Sequence, residues 1–306
     1  MGRYIVRRLL FMIPVLFFIS IITFAMAHAV PGGPFSREKP LPPEVIANLE
    51  KFYHLDQPVW KQYVDYMGGV ILHFDFGPSY RSRGRRVNDI FRDHLPVSAQ
   101  LGLVALCIAL VMGVPLGIIG ALKQNTVWDY ACMAVAVFGI SVPAIVLGPL
   151  LILIFALALG WFPVAGWGTP AQLIMPAFAL GLHDSAIIAR LTRASMLQVI
   201  REDYIRTARA KGLAERAVMV RHALKNAFIP VATILGPLFA ALVTGTFIVE
   251  QIFAIPGLGK YFVTSITNRD YPVVMGTILL YAVFLVLANL AVDITYAFLD
   301  PRIRYT

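Results

Sequence analysis

Few residues in this sequence are arranged for covalent chemistry. Ser, His and Asp meet in succession at His183-Asp184-Ser185, but neighbours on a helix do not face one another, so no nucleophilic triad forms there. Gly259-Lys260 shares a Gly-Lys pair with the phosphate-binding pattern G-x-x-x-x-G-K-[ST]. Tyr261 follows where a hydroxyl for Mg is needed, and Ala254 replaces the first Gly. The chain is therefore expected to bind no ATP and no metal of its own. Cys107 and Cys132 lie in apolar stretches and read as small core residues, without a disulfide framework or a metal site.

Four acids are more informative: Asp184, Glu250, Asp293 and Asp300 lie near the ends of long apolar runs. An ionisable group at mid-membrane costs about 2.5–3.5 kcal/mol on insertion scales, which makes a central one a functional candidate. Within a turn or two of the interface, capping or snorkelling explains it equally well, and a proton relay is the sharper alternative. Glu250, just before the loop Ile255 to Gly259, is the leading member of the set. Trp161, Phe162 and Trp167 read as interface anchors, with a gate of aromatics as the alternative.

The remaining chemistry is a basic segment, Thr192 to Ala227, too long and too patterned for a connector. Leu197, Ile200, Tyr204 and Ala208 line one helical face, with Glu202, Arg206 and Arg209 on the opposite one. Glu202 and Arg206 have the spacing of an i,i+4 ion pair. Gly212 supplies a position just past a helix end, where positive φ costs little. A second short helix is expected from Ala214 to about Phe228, returning at Pro230. From the residues alone, the segment is either an interfacial helix on anionic lipid or a docking element for a partner.

The elements that position these groups are membrane spans. Of 306 residues 58% are hydrophobic and 14% charged, with mean hydropathy +0.74. No Asp, Glu, Lys or Arg occurs over 130–183, 226–249 or 271–292, each longer than the roughly 20 residues that cross the hydrocarbon core. Six spans are expected, at about Leu9–Val30, Val97–Leu122, Tyr130–Leu159, Ala171–Ile188, Phe228–Val249 and Val273–Phe298. The first run exceeds a signal-peptide core of about 7–15 residues, so it is expected to be retained. Gly113-Val-Pro-Leu-Gly117 and Pro143 sit within spans, where neighbouring helices can satisfy freed backbone groups. The fold class is an all-α polytopic membrane protein, organised as a first helix (1–30), a large extracytoplasmic insertion (31–95) and a core of five helices (96–306) holding the segment 192–227.

The net charge of +9 reports topology rather than nucleic acid. With a cytoplasmic N-terminus, segments on the cytoplasmic side carry fifteen Lys and Arg and the short outer loops only Lys260 and Arg269. Both termini are accordingly expected in the cytoplasm. In the insertion, Leu41-Pro42-Pro43-Glu44 reads as a helix start, and the cluster Arg81, Arg83, Arg85, Arg86 is balanced by acids of the same loop.

The segment Asp203-Tyr-Ile-Arg-Thr-Ala-Arg-Ala-Lys-Gly212, followed by His222-Ala-Leu-Lys-Asn-Ala-Phe-Ile-Pro230, resembles the "EAA" segment of ABC importer permeases in the form that peptide permeases use. Counting back from Gly212, Arg206, Thr207 and Ala208 occupy the places of Glu-Ala-Ala, and His222 to Lys225 replace I-x-L-P. His54-Leu-Asp-Gln-Pro58, Asp75-Phe-Gly-Pro-Ser79, Leu95-Pro-Val-Ser98, Ala121-Leu-Lys123, Ala189-Arg190-Leu-Thr-Arg193, Glu250-Gln-Ile-Phe253, Arg269-Asp-Tyr-Pro272 and Asp300-Pro-Arg302 extend the resemblance, in order, along the chain.

The resemblance implies the type I ABC importer permease fold in the bacterial inner membrane, as the B-type subunit of an oligopeptide or dipeptide importer forming half of the pathway. It implies a second homologous permease, two ATP-binding subunits that hold the ATP and Mg, and an extracytoplasmic peptide-binding protein. It implies that Asp203, Tyr204, Arg206, Thr207, Ala208, Arg209, Ala210, Lys211 and Gly212 couple to the ATPase. It further implies that Glu250 with Ile255, Pro256, Gly257, Leu258 and Gly259 lies at the outer mouth as a gate. Nickel, glutathione or another small solute of the same superfamily, and a proton-coupled carrier, are the alternatives.

Overall fold

The computed structural model describes residues 2–30, 32–35, 42–82 and 84–299, so Leu41, Arg83, Asp300, Arg302 and Arg304 lie outside the described residues. Within them the protein is helical, without strands beyond an isolated bridge between Pro78 and Arg86. Five helices are long and apolar enough to cross a membrane: α1 (Gly2–Ala29), α4 (Val87–Leu122), α7 (Pro170–Val199), α11 (Ile229–Val243) extended by the short α12 (Phe247–Ile252), and α14 (Tyr271–Leu299). Two shorter helices, α2 (Pro43–Phe52) and α3 (Val59–His73), belong to the insertion. Pro42 and Pro43 start α2 as the sequence suggests, since Pro is harmless where no intrahelical N–H is needed.

The span expected over Tyr130–Leu159 is broken. α5 (Val127–Ser141) and α6 (Ala144–Leu151), which continues as a π-helical stretch over Ile152–Ala158, meet at 102°. Pro143 has no N–H to donate and forces Val142 into an extended conformation (φ −98°, ψ 107°), so the helix cannot pass through. Packing shows that the bent pair still makes one crossing. Gly113 lies against Ser185 and Gly117 against Ala189, so α4 and α7 run parallel. On α5, Asp129 meets Arg193 and Gly139 meets Leu182, so α5 runs antiparallel to α7. A chain that finishes α4 at one end and starts the parallel α7 at the other must traverse the layer between them.

The parallel pair is the centre of the molecule. Ala105, Ala109, Gly113 and Gly117 recur every fourth residue along α4, opposite Gly181, Ser185 and Ala189 on α7. A Cβ on Gly113 would lie 2.6 Å from the Ser185 carbonyl oxygen, and one on Gly117 2.5 Å from that of Ala189. The reverse holds at Gly181, whose Cβ would sit 2.7 Å from the Ala105 oxygen. In lipid, apolar side chains gain little by leaving the solvent, so close backbone approach through small residues supplies the association. α11 packs antiparallel on α4, with Leu242 against Gly102, and α14 lies antiparallel on α11, with Asn289 beside Gly236. α1 closes the bundle edge, antiparallel to α14, through an ion pair from Arg8 to Asp293 at 3.0 Å and a ring contact of His28 with Tyr271.

Gly117→Leu should therefore force α4 and α7 apart and destabilise the bundle by about 1–3 kcal/mol. Gly68→Leu, on α3 where nothing lies within 4 Å of an added Cβ, should not. Thermal unfolding of the purified protein separates the two; equal melting temperatures would contradict the packing account.

Candidate functional site

The basic segment begins as α7 ends. A turn at Ile200 to Glu202 interrupts the chain before α8 (Asp203–Ala210), so Leu197 and Ile200 do not share a helix with Tyr204 and Ala208. This corrects the single amphipathic face. The buried pair on α8 is Ile205 and Ala208, packed with Met196 of α7, Ala121 of α4, and Val218, Met219 and Ala223. Of the residues assigned to coupling, Ala208 therefore faces the bundle. Asp203, Tyr204, Arg206, Thr207, Arg209, Ala210, Lys211 and Gly212 remain exposed.

The expected Glu202–Arg206 pair does not form. Glu202 is the residue before the helix, and Arg206 instead lies 3.6 Å from Asp203, both highly exposed; such a pair contributes little. A stronger brace crosses the turn after α8, where Arg209 donates to Glu215 through Nε (3.1 Å) and Nη2 (2.7 Å). The Arg209 guanidinium holds the Glu215 carboxyl below the usual carboxylate range. A lowered carboxyl keeps its pairing above its ordinary range and loses it as pH falls through the lowered value, so the brace is intact at neutral pH. Gly212 makes the turn itself at φ +74° with open space around it. Beyond it the chain runs through α9 (Glu215–Ala217), a π-helical stretch (Val218–Ala223) and α10 (Leu224–Ala227) into α11. Asn226 Nδ2 donates to the Tyr204 hydroxyl at 2.7 Å, tying that return path to α8.

At the other end of the bundle, Glu250 is 2% exposed on α12. Its Oε1 accepts from Ser98 Oγ of α4 (2.7 Å) and the Thr246 N–H (3.1 Å), and Oε2 accepts from the Gly259 N–H (2.9 Å). Ser98 Oγ accepts in turn from the Leu258 N–H at 2.8 Å. Glycines form the cradle. A Cβ on Gly257 would lie 2.3 Å from the Glu250 carboxyl carbon, and one on Gly245, at φ +110°, 2.4 Å from the Gly259 nitrogen. The Pro256 carbonyl accepts from His94 Nδ1 of α4 at 2.8 Å, while Leu258 packs with Val87, Ile90 and Phe91. Ile255, Gly257, Leu258 and Gly259 are thus buried, with Pro256 exposed. The carboxylate staples this loop to α4.

The other acids resolve differently. Asp184 is the fifteenth of the 30 residues of α7 and is buried, so it lies mid-span rather than near an end. The expected span was too short at its C-terminal side, because α7 runs on to Val199. Asp293 pairs with Arg8. Two carboxylates escaped the sequence reading. Asp129, in the first turn of α5, accepts from Arg193 Nε (2.7 Å) and Nη2 (2.6 Å) and from the Asn125 N–H (3.0 Å), clamping α5 to α7. Asp270 accepts from Ser79 Oγ (2.5 Å), the Tyr80 N–H (3.0 Å) and the Arg81 N–H (3.3 Å). Burial pushes its carboxyl up, against those hydrogen bonds. It joins the Asp75-to-Ser79 turn to the Arg269-to-Pro272 turn, near α13 (Gly259–Asn268).

Two family profiles match the chain: binding-protein-dependent transport system inner membrane component over residues 113–305, and the N-terminal part of such membrane components over 1–102. The sequence is 48% identical to a dipeptide transport system permease protein of Bacillus subtilis (strain 168), covering 99% of this chain and 98% of that one. It is 46% identical to an oligopeptide transport system permease protein of Escherichia coli (strain K12), with both chains fully covered. Among solved structures it is similar to an amino acid ABC transporter with histidines (TM-score 0.52, 18% identity, 68% of this chain and 93% of that one). It is likewise similar to the inward-facing MetNI methionine ABC transporter (TM-score 0.53, 18% identity, 70% and 97%). At that identity the likeness concerns the fold, which is that of type I ABC importer permeases.

Glu250→Ala would leave the Gly259 and Thr246 N–H groups and Ser98 without their acceptor, at about 1–3 kcal/mol for each group left unsatisfied. Amide exchange at Leu258 and Gly259 should accelerate strongly while that of α7 stays unchanged. Unchanged protection at those two amides would show that the carboxylate does not hold the loop.

Proposed function

Because the chain belongs to the family of binding-protein-dependent transport system inner membrane components, we propose that it works as half of an import pathway driven by separate ATPases. It is a permease subunit of a peptide importer, as its full-length similarity to dipeptide and oligopeptide permeases supports. The pathway is completed by a second homologous permease, two ATP-binding subunits carry ATP and Mg, and an extracytoplasmic binding protein delivers the peptide. The chain lies in the bacterial inner membrane with both termini in the cytoplasm. The observation that carries the coupling role is α8: a short helix anchored by Ile205 and Ala208 that presents Asp203, Tyr204, Arg206, Thr207, Ala210 and Lys211 outward.

In this reading α8 inserts into a cleft of an ATPase, and the Arg209–Glu215 brace with the Gly212 turn keeps it at a fixed angle to α7. Nucleotide-driven movement of the ATPases shifts the balance between inward- and outward-open forms. The Glu250-stapled loop would then serve as a gate at the outer mouth, a role that its attachment to α4 supports.

Purification from native membranes tests the assembly: a second permease and two ATPases should accompany the chain, whereas an isolated chain transporting on a pH gradient would overturn the proposal. Gly212→Leu should weaken ATPase recovery without preventing insertion, since a left-handed residue with a side chain costs about 1–2 kcal/mol. Gly212→Asn, which tolerates that conformation, should be milder. Equal recovery and peptide uptake for parent and Gly212→Leu would count against the docking turn. Reporters fused at Gly166 and Arg216 should respond on opposite sides of the membrane.

A further inference from the structure

α1, α13 and α14 enclose a cavity of about 200 Å³ at the bundle end that carries the Glu250 loop. Its walls are almost wholly apolar, with Met26 on α1, Val30 just beyond its end, Ile266 on α13, and Val274 and Ile278 on α14. One cation stands among them. Arg269 occupies the left-handed residue after α13 (φ +56°), two positions before α14 is under way. No hydrogen bond or ion pair to its guanidinium occurs among the described residues, and the adjacent Asp270 carboxylate is committed to Ser79, Tyr80 and Arg81.

The position of these groups along the membrane normal selects the occupant. Arg269 lies two residues before α14, whose 29 residues are longer than the hydrocarbon core, which sets this end at the headgroups. Ile278 is seven residues beyond Tyr271, the first of α14, and so about 10 Å deeper. Met26, which lines the cavity, is 67% exposed, and Ile22, one turn earlier on α1, is 56% exposed. A soluble anion has no use for the apolar wall, and a purely apolar occupant leaves the guanidinium unmatched. An anion above a hydrocarbon chain satisfies both.

We propose that this cavity is a phospholipid site, with the phosphodiester on Arg269 and an acyl chain between α1 and α14. The lipid seals the joint at which the first helix leans on the bundle. The site is independent of which solute crosses the membrane.

The test uses the purified transport complex with phosphatidylglycerol titrated in, bound lipid being read by native mass spectrometry. Arg269→Gln should weaken the strongest phosphatidylglycerol binding at least about tenfold. Arg269→Lys should retain most of it, and Ala27→Trp, which fills the cavity from α1, should abolish it. Parent-like binding in both Arg269→Gln and Ala27→Trp overturns the proposal. Loss in Arg269→Gln alone would mean a headgroup on Arg269 with no chain in the cavity, and loss in Ala27→Trp alone a chain in the cavity with its phosphate elsewhere; either overturns the two-part site. Thermal unfolding of each variant, with Arg269→Lys as reference, separates loss of the site from loss of the fold.

Discussion

The contact between α4 and α7 constrains everything else in this permease. Their backbones approach so closely that neither Gly113 nor Gly117 has room for a methyl group, the obstructing atoms being carbonyl oxygens and the branched side chains of Ile188 and Thr192. Packing of that kind has a single solution. It fixes the parallel course of the two helices, and parallel neighbours in a membrane require a crossing between them. The bent pair α5 and α6 supplies it. The break at Pro143 is tolerable because α5 is already held by Asp129 on Arg193 and by Gly139 against Leu182.

Carboxylates fasten several joints around this rigid unit. Glu250 and Asp270 each collect donors from a loop and a serine hydroxyl, and Asp129 takes both arms of an arginine. A buried ionised group is tolerated only with such a full set of partners. Each staple joins segments far apart in sequence, and the Glu250 loop is tied in this way to α4. Position along the chain is a poor guide to these joints: Ser98 and Glu250 are 152 residues apart.

That separation explains what was legible in the sequence and what was not. Long apolar runs revealed the spans, and Gly212 revealed the turn after α8, because both signals are local. The break in the third span depended on weighing Pro143 against its neighbours, and the sequence offered Pro115 inside α4 as a counterexample in which the helix continues. Asp184 was misplaced because the apolar run ends well before α7 does. The Ser98–Glu250 and Ser79–Asp270 joints had one weak sign each, a lone serine or acid inside a motif that resembles the family's. Asp129 stood at the very edge of a charge-free run, a position that invites neglect although a first-turn acid favours a helix N-terminus. The residues assigned to coupling were picked out as a group by family pattern, while the burial of Ala208 within them needed the fold.

The burial of Ile205 and Ala208 against α4 and α7 gives α8 a mechanical meaning. Its attachment is to the two helices that are least able to slide on one another, so it behaves as the short arm of a lever whose long arm is α7. That arm has 30 residues and is about 45 Å long. Tilting it by about 5° sweeps its far end through about 4 Å, by the same geometry. An angular displacement at one surface of the membrane thus reappears, geared up, at the other.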